Sequence, residues 1–458
     1  MKPEKARELV VVLIHLALWS ELGVLTRIYL DRFFSGACSG SFGVCLTSDG
    51  LRHRSLGAYF PDLPSNMLGS FLMGLFAASG TLGSPNSKEL AILPESSNWQ
   101  AAPELHIGLR TGYCGSLTTF ASWEYSLVTG LIGGQGKQGG QWAEFLWGLI
   151  IGLQLSLSSY VFGQHCALMI DRYLVPGGRA EADLERELQQ RALDIAAVRE
   201  GGLSEAALAL ERDQSIDGRV SEDDRLGDDT WQQRHLQPEV DGHSQENGHV
   251  HSHSLNVEGR SGTEKRSRLQ SVPERLQASW VKAFLCQDSG KFPFHRKTNL
   301  AAIALTGLVT ALFIVLTIVD TEARHLGRRQ QWLAILFGPF GCTLRWVLSK
   351  SNYKLPGSWK WLPIGTFAAN MLGCTIDYFV GGAISQVGAL SYWGNVVTYA
   401  IRTGFCGALS TVSTFVAEVQ VQLKMVPEKL RGYMYSWGSL LMGALLGVIV
   451  YGPMYWTS

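Results

Sequence analysis

The residues of this chain that could handle an ion occur in two matching copies. Residues 110–120 read RTGYCGSLTTF, residues 402–412 read RTGFCGALSTV, and seven of the eleven positions are identical. Clustered glycines weaken a helix, and backbone groups freed inside a membrane are tolerated where they line a cavity or bind an ion. Two such breaks meeting on a symmetry axis would offer about four carbonyl oxygens, a ligand set that suits a small cation. Close packing of small residues against a neighbouring helix is the alternative interpretation, and it stays open for any single position.

An asparagine lies upstream of each matching segment. Asn66 begins the tetrapeptide NMLG, and Asn370 begins an identical one. A buried amide can form a structural hydrogen bond between helices, or its NH₂ group can donate to an anion that has shed its water. Because the asparagine recurs in both copies, we favour a role in an anion path.

Few charged residues fall in the apolar parts of the chain. Arg27 and Arg345 end two apolar stretches at related places, where an arginine either snorkels to the membrane interface or attracts anions to a vestibule. Glu418 and Asp377 are acids inside apolar stretches of the second copy. Intramembrane acids are functional candidates by default, although a glycine pair close to Asp377 also fits an interfacial position.

The elements that must hold these residues are apolar stretches of membrane-spanning length. The chain has 458 residues, 39 basic against 39 acidic residues and 17% charged residues, and residues 171–297 carry 41 of the 78 charges. This distribution excludes a basic nucleic-acid binder and leaves the rest of the chain strongly apolar. A helix needs about 20 apolar residues to cross a membrane. Nine stretches qualify, at residues 9–29, 56–79, 105–128, 145–163, 300–319, 332–348, 361–380, 396–423 and 433–455.

The nine stretches form two sets of four with a single one between them. Four crossings return a chain to the side where it started, so the extra crossing inverts the second copy. The sequence therefore predicts an all-α membrane protein with an inverted-topology repeat, arranged 4+1+4, and a substrate site near the bilayer midplane between the copies. The predicted divisions are a first four-span unit at 1–165, a polar linker at 166–298, an inverting helix at 299–320 and a second four-span unit at 321–458.

The loops and the linker indicate how the chain lies in the membrane. With a cytoplasmic N terminus, the inside loops hold about ten Lys and Arg residues against about seven outside, which favours that orientation by the positive-inside rule. The linker is highly charged and poor in apolar residues, which predicts a largely disordered cytoplasmic segment. Its histidine tract at residues 243–253 could bind a metal weakly, but we favour the interpretation that these histidines belong to a disordered segment without a metal site.

Cys38 and Cys45 lie in one loop and could form a disulfide, but two free thiols are the better interpretation.

At residues 66–69 and 115–120, repeated at 370–373 and 407–418, the chain resembles the fluoride channel family (Fluc/CrcB) in its fused eukaryotic form, the fluoride export proteins. The resemblance covers all nine stretches and leaves out the linker. It rests on a GxxTTFSTFSxE-like stretch, an upstream asparagine, the 4+1+4 order and the inverting helix. It implies a passive, fluoride-selective anion channel in which one fused chain forms a pseudo-dimer of antiparallel four-helix units, with two pores and a central structural sodium ion.

The resemblance also implies a role for individual residues. It implies sodium ligation by the backbone carbonyls of Gly115, Thr118, Gly407 and Ser410, pore asparagines at Asn66 and Asn370, vestibule arginines at Arg27 and Arg345, and a pore acid at Glu418. A polar track spaced by four residues matches Tyr435 and Ser439 in the last stretch. The next two positions of that track are glycines, Gly443 and Gly447, so the track departs from the family pattern there.

The phenylalanines depart from the family pattern as well. The family has two phenylalanines three residues apart, and their ring edges, which carry positive partial charge, line the pore. The first copy keeps Phe120 but has Trp123 at the second place, whereas the second copy has Val412 at the first place and keeps Phe415. In the family each pore takes its phenylalanines from opposite units. Phe120 and Phe415 could therefore complete one pore, while Trp123 and Val412 leave the other pore without its phenylalanines.

The function implied is export of fluoride from the cytoplasm across the plasma membrane, with fluoride and the lipid bilayer as partners and no nucleic acid. No enzyme is expected, because the apolar stretches contain no nucleophile–base pair, phosphate loop or metal-ligand spacing. A small multidrug-type proton-coupled carrier is the main alternative, but it needs a buried carboxylate in the first span of both units, and Glu21 has no counterpart at residues 337–344. A receptor or scaffold anchored by its membrane part would leave the repeated asparagine and TGxCG pattern unexplained.

Overall fold

A computed structural model describes residues 3–36, 60–78, 89–94, 97–133, 140–174, 296–320, 326–424, 426 and 429–457. These residues form helices joined by turns and loops, with no strand among them. The predicted linker lies outside them except at 166–174 and 296–298, which belong to or directly follow the neighbouring helices. The pair Cys38 and Cys45 and the histidine tract also lie outside the described residues.

The first copy contains one interrupted helix among continuous ones. α1 spans Pro3–Gly36 and α2 spans Leu63–Ala77. α3, residues 103–117, is α-helical at Pro103–Ile107, π-helical at Gly108–Cys114 and α-helical again at Gly115–Leu117. After a break, α4 spans Ala121–Gly133, and α5 spans Gly140–Tyr173.

The second copy repeats this order after a single connecting helix. That connecting helix, α6, spans Arg296–Val319. It is followed by α7 at Leu326–Ser349 and α8 at Ile364–Val387. α9, residues 392–409, contains a π-helix at Ala400–Cys406, and after a second break α10 spans Ser413–Leu423 and α11 spans Arg431–Trp456. The two copies therefore share one succession of helices, including the π-helix and the break.

Six helices of the described residues are long and apolar enough to cross a membrane, namely α1, α5, α6, α7, α8 and α11. α2 is a shorter apolar helix of 15 residues. The predicted third crossing of each copy is divided by its break into two shorter helices. The chain is thus an all-α, multi-pass membrane protein, as predicted, and the count of nine crossings stays a prediction.

The two copies interlock through the helices that follow the breaks. α1 packs against α7 of the other copy, while α2 packs against α5 and α8 against α11 within their own copies. α4 contacts α8 and α11 of the second copy, and α10 contacts α2 and α5 of the first. Because each of these helices enters the opposite copy, the residues at both breaks lie where the copies meet.

The connecting helix α6 lies on the outside of the helix assembly, against α1 and α7. Most of its apolar side chains are exposed, Leu308 by 68% and Ile318 by 67%, as suits a helix that faces lipid. Thr310 Oγ1 donates a 2.7 Å hydrogen bond to Glu21 Oε1 of α1. Glu21, the carboxylate that a coupled carrier would need, thus bonds to the connecting helix.

Candidate functional site

Both copies have a short extended segment between the two helices of the third crossing. Thr118 has φ −96° and ψ 150°, and Ser410 has φ −84° and ψ 159°, so the chain leaves the helical conformation at both residues. Helix resumes at Ala121 in the first copy and at Ser413 in the second. The interruption predicted from the repeated glycine-rich segment is present in both copies.

Hydroxyl groups at each break cap a helix of the opposite copy. Thr118 Oγ1 accepts hydrogen bonds from the backbone N–H groups of residues 412 and 413, 3.2 and 3.1 Å away, at the start of α10. Ser410 Oγ accepts from the N–H groups of residues 120 and 121, 3.2 and 3.0 Å away, at the start of α4. The first N–H groups of a helix lack intrahelical partners. Each copy therefore completes a helix of the other, and serine can replace threonine because both carry the hydroxyl.

Each asparagine holds the backbone of the break in its own copy. Asn66 Nδ2 donates to the carbonyl of Thr119 at 3.1 Å, and the N–H of Thr119 donates to Asn66 Oδ1 at 2.8 Å. Asn370 makes the same pair of bonds to Thr411, at 3.2 and 2.8 Å. These contacts match the structural alternative that the sequence left open. The pore role of both asparagines stays a prediction.

At the breaks, four backbone N–H groups bond to side chains. In a continuous helix they would bond to the carbonyls that the resemblance implies for sodium. In a continuous helix, the N–H groups of residues 119 and 411 would bond to the carbonyls of Gly115 and Gly407, but here they bond to asparagine. The N–H groups of residues 122 and 414 would bond to Thr118 and Ser410, but they donate to the hydroxyls of Thr119 and Thr411, at 3.3 and 3.5 Å. Carbonyl oxygens suit a hard cation. The four carbonyls predicted to bind sodium thus lose their usual hydrogen-bond partners. Carbonyl oxygens are ligands of the type that fits sodium.

The two arginines lie deep inside the molecule, 1% and 3% exposed for Arg27 and Arg345. Arg345 donates through Nη2 to the carbonyl of Thr111 at 2.8 Å and through Nε to that of Ala408 at 2.9 Å. Arg27 donates through Nη2 to the carbonyl of Thr403. The residues bonded across the copies, Thr111 and Thr403, both lie in π-helices, where the altered helical register disturbs the usual bonding of carbonyls.

The arginines also explain two of the repeated glycines. A Cβ atom built on Gly115 would overlap the guanidinium group of Arg345, and one built on Gly407 would overlap that of Arg27. Each arginine thus occupies the space that glycine leaves in the opposite copy. The structure buries both arginines against the π-helix of the other copy, and their vestibule role stays a prediction.

The two phenylalanines that keep the family pattern lie against each other, although they come from opposite copies. The ring centroids of Phe120 and Phe415 are 5.5 Å apart with an interplanar angle of 77°, an edge-to-face contact. Tyr435 of α11 lies against Phe415 in the same manner, with centroids 5.2 Å apart. All three side chains are buried.

Glu418 joins this aromatic group to a buried polar network. Tyr435 donates its hydroxyl proton to Glu418 Oε2 at 2.8 Å. Glu418 Oε1 accepts from Thr366 Oγ1 at 2.7 Å and from Asn352 Nδ2 at 3.0 Å. Ser439, one turn further along α11 from Tyr435, is 1% exposed, and its hydroxyl has no partner among the described residues. Five residues predicted for the fluoride path, Phe120, Phe415, Glu418, Tyr435 and Ser439, are therefore brought together along one face of α11.

Trp123 and Val412, at the two positions that depart from the family's phenylalanine pattern, pack in the hydrophobic core. Trp123 is fully buried, stacks on Phe60 with ring centroids 5.6 Å apart, and leaves no room for a Cβ atom on Gly152 of α5. Val412 is also fully buried. The α5 side thus lacks the paired phenylalanines that lie beside α11.

Asp377, a candidate from the sequence, is buried and forms an ion pair with a half-buried arginine that sequence reasoning did not single out. Arg402 Nε lies 2.6 Å from Asp377 Oδ1, and the Arg402 guanidinium lies 4.0 Å from the centre of the Tyr125 ring. In the first copy Arg110 instead donates to the carbonyls of Phe76 and Glu89. The repeated arginine was visible in the matching segments, but its partners differ between the copies.

Glu124 is another residue that sequence reasoning missed. It is fully buried, and neither carboxyl oxygen has a partner among the described residues. Its signal in the sequence was a charged residue inside a predicted crossing, immediately after Trp123.

Comparison with known proteins gives a consistent assignment for both copies. The family model described as CrcB-like protein, Camphor Resistance (CrcB), matches residues 14–164 and 332–451. The chain is 32% identical to Fluoride export protein 1 of Neurospora crassa over 166 residues, 34% of this chain and 29% of that protein. It is 31% identical to Fluoride export protein 1 of Candida albicans over 187 residues, 38% of this chain and 45% of that protein.

A bacterial relative matches a shorter part of the chain. The Fluoride-specific ion channel FluC of Desulfovibrio desulfuricans is 43% identical over 84 residues, 18% of this chain and 60% of that protein. The chain therefore spans less than two thirds of the length of each of these relatives. No solved structure matches the chain.

Proposed function

We propose that this chain, which belongs to the CrcB-like family, is a passive, fluoride-selective anion channel that exports fluoride from the cytoplasm and so prevents its toxicity. The observation that carries the proposal is the contact of Phe120 with Phe415, at 5.5 Å between ring centroids, beside the track of Tyr435 and Ser439. The names of the fungal and bacterial relatives, an export protein and a channel for fluoride, support the same substrate.

The chemistry of this group suits a small, strongly hydrated anion. Aromatic ring edges carry positive partial charge. The hydroxyl group of Ser439, which has no partner among the described residues, can donate a hydrogen bond to the anion. The hydroxyl proton of Tyr435 is donated to Glu418 Oε2, so Tyr435 contributes its ring. Together they can replace part of the water that fluoride sheds on entering a buried path. A negative-inside potential favours exit of an anion by about 2.3 kcal/mol per 100 mV, so no coupling to another solute is needed.

We further propose that one complete path exists in the molecule. It lies beside α11, because Phe120 and Phe415 contact each other there next to Tyr435. At the positions that depart from the family pattern, Phe120 meets the ring of Trp123 at 5.7 Å, and Val412 offers no aromatic ring. The plasma membrane, with the N terminus and the linker in the cytoplasm, is the proposed setting.

A sodium ion held by the carbonyls of Gly115, Thr118, Gly407 and Ser410 would join the two breaks electrostatically. The support is the diversion of four N–H groups away from these carbonyls. A ligand that binds only the folded protein raises its thermal stability. We therefore expect the unfolding temperature of the purified chain to rise with sodium concentration at constant ionic strength, and equal stability in N-methyl-D-glucamine would overturn the sodium proposal.

Fluoride efflux from liposomes that contain the purified full-length chain tests the main proposal. A fluoride electrode should record rapid efflux on addition of a potassium ionophore, with protein-free liposomes and chloride-loaded liposomes as controls. Efflux that requires a proton gradient would favour the carrier alternative. The absence of fluoride efflux would overturn the proposed function.

A further inference from the structure

The polar track of α11 changes character halfway along the helix. Residues 435, 439, 443 and 447 recur every four positions and so lie along one face. The first two are Tyr435 and Ser439, which carry hydroxyl groups, and the next two are glycines. A track for a dehydrated anion would lose its donors at these glycines unless other helices supply them.

Side chains from two neighbouring helices fill the space at the glycines. A Cβ atom built on Gly443 would lie 3.2 Å from Glu124 Cδ of α4, and one built on Gly447 would lie 2.8 Å from the hydroxyl oxygen of Tyr378 of α8. The same Gly443 position is 3.2 Å from Phe120 Cε1. The carboxyl group of Glu124 therefore lies beside the phenylalanine pair, and the Tyr378 hydroxyl lies one turn of α11 beyond it.

Neither group has a hydrogen-bond partner among the residues that the structure describes. Both side chains are fully buried, and the unpartnered atoms are the two carboxyl oxygens of Glu124 and the hydroxyl of Tyr378. An isolated carboxylate in an apolar site is strongly disfavoured, so Glu124 is held in its neutral form, which carries an O–H donor. Two buried O–H donors thus lie at the glycine part of the track, with no acceptor among the residues that the structure describes.

The corresponding positions of the other copy carry no such donors. Counting from the matching segments, Glu124 corresponds to Val416 and Tyr378 corresponds to Gly74. At these two positions, a carboxyl group and a hydroxyl group are present only on the side where Phe120 and Phe415 meet, and the unpartnered hydroxyl of Ser156 on the other side comes from α5. An unsatisfied buried polar group destabilises a protein, and two of them at neighbouring positions indicate a ligand.

We propose that Glu124 and Tyr378 form a fluoride-binding station that continues the track of Tyr435 and Ser439 past Gly443 and Gly447. This inference rests on the proposed function. Each group donates an O–H hydrogen bond to the passing fluoride ion, and no bond is formed or broken. The station is built from three helices, α4, α8 and α11, so both copies contribute to it.

Three variants of the full-length chain test the station in the liposome efflux assay. Glu124→Val installs the residue of the other copy and removes the donor, and Tyr378→Phe removes only a hydroxyl. We expect each to lower fluoride efflux by about tenfold, the loss expected when one hydrogen bond to a charged ligand is removed. The matched control is Ser156→Ala on α5, which removes an equally buried and unpartnered hydroxyl on the side without the phenylalanine pair. Its efflux should equal that of the wild type.

Thermal unfolding of the same variants separates a binding role from a structural one. Removing a buried group without a partner should leave the unfolding temperature of Glu124→Val and Tyr378→Phe unchanged or higher, while efflux falls. If Glu124→Val does not fold, Glu124→Gln, which keeps an N–H donor, replaces it and should retain more efflux than Tyr378→Phe.

The outcomes distinguish this inference from the proposed function. Wild-type efflux together with normal efflux in the Glu124 and Tyr378 variants overturns the station alone. Equal loss of efflux in Ser156→Ala also overturns it. No efflux from the wild type overturns the channel proposal and the station with it.

Discussion

The guanidinium group of Arg345 in the second copy donates a hydrogen bond to the carbonyl oxygen of Thr111 in the first copy, 2.8 Å away. The same side chain reaches the carbonyl of Ala408 in its own copy, at 2.9 Å. Arg345 thus ties the π-helix of α3 to the end of α9. This contact makes the arginine part of the interface between the copies.

Arg345→Met should therefore weaken the fold. The substitution keeps an unbranched apolar stem but removes both guanidinium donors, which leaves the Thr111 carbonyl with only the weak S–H donor of Cys342, 3.7 Å away. A buried carbonyl that loses its donor costs about 1–3 kcal/mol. We expect a clearly lower unfolding temperature in detergent. Arg345→Lys keeps the charge but lacks the planar fork that serves two acceptors, so it should recover only part of the stability. Wild-type stability in Arg345→Met would contradict this role, and full recovery by lysine would favour a vestibule charge.

Loss of either retained phenylalanine should abolish fluoride efflux. Phe120→Ala and Phe415→Ala each remove one ring of the edge-to-face pair beside Tyr435. The control variants are Val412→Ala and Trp123→Leu, which change the two positions that depart from the family pattern without placing a phenylalanine there. We expect near-normal efflux from both controls in the liposome assay. Comparable losses at all four positions would contradict a single complete path.

The capping hydroxyls should contribute to stability across the copies. Thr118→Val keeps the shape of the side chain but cannot accept the two N–H bonds at the start of α10. Loss of a helix cap costs about 0.5–2 kcal/mol. Thr118→Ser, which copies Ser410, is the matched control and should behave as the wild type. Equal unfolding temperatures for the valine and serine variants would refute capping by Thr118.

Asn370→Leu should lower both stability and the response to sodium. Without the amide, the N–H of Thr411 can bond instead to the carbonyl of Gly407. That carbonyl is one of the four proposed sodium ligands. We expect a lower unfolding temperature and a smaller rise with added sodium than in the wild type. Asn352→Leu, which removes an amide bonded to Glu418 instead, is the control, and it should keep the full sodium response. A full sodium response in Asn370→Leu would show that Asn370 has no role in the sodium site.

Much of the site was predictable because its sequence segments occur in both copies of the internal repeat. The matching segments at 110–120 and 402–412 indicated a break in each third crossing, and both breaks are present at Thr118 and Ser410. The departure of Trp123 and Val412 from the pattern also indicated which phenylalanines would be left to pair. Repeats, glycine clusters and broken patterns are local properties, which can be detected without knowing how the helices pack.

The positions of Arg27, Arg345, Glu124 and Tyr378 could not be obtained in the same way. Each of these side chains acts on a residue of another helix, and three of the four meet a glycine of the opposite copy. A glycine in a sequence indicates available space but not which distant side chain fills it. The arginines therefore looked like residues at the ends of crossings, and the track on α11 looked interrupted.

The amino-acid sequence by itself indicated an all-α membrane protein, its internal repeat, its family resemblance and the asparagines and phenylalanines of its site. The packing of the helices established that Thr118 and Ser410 cap each other's copies and that the arginines are buried. The difference is physical. Hydrophobic length and repetition are carried by neighbouring residues, whereas hydrogen bonds across an interface depend on which helices come together when the two copies interlock.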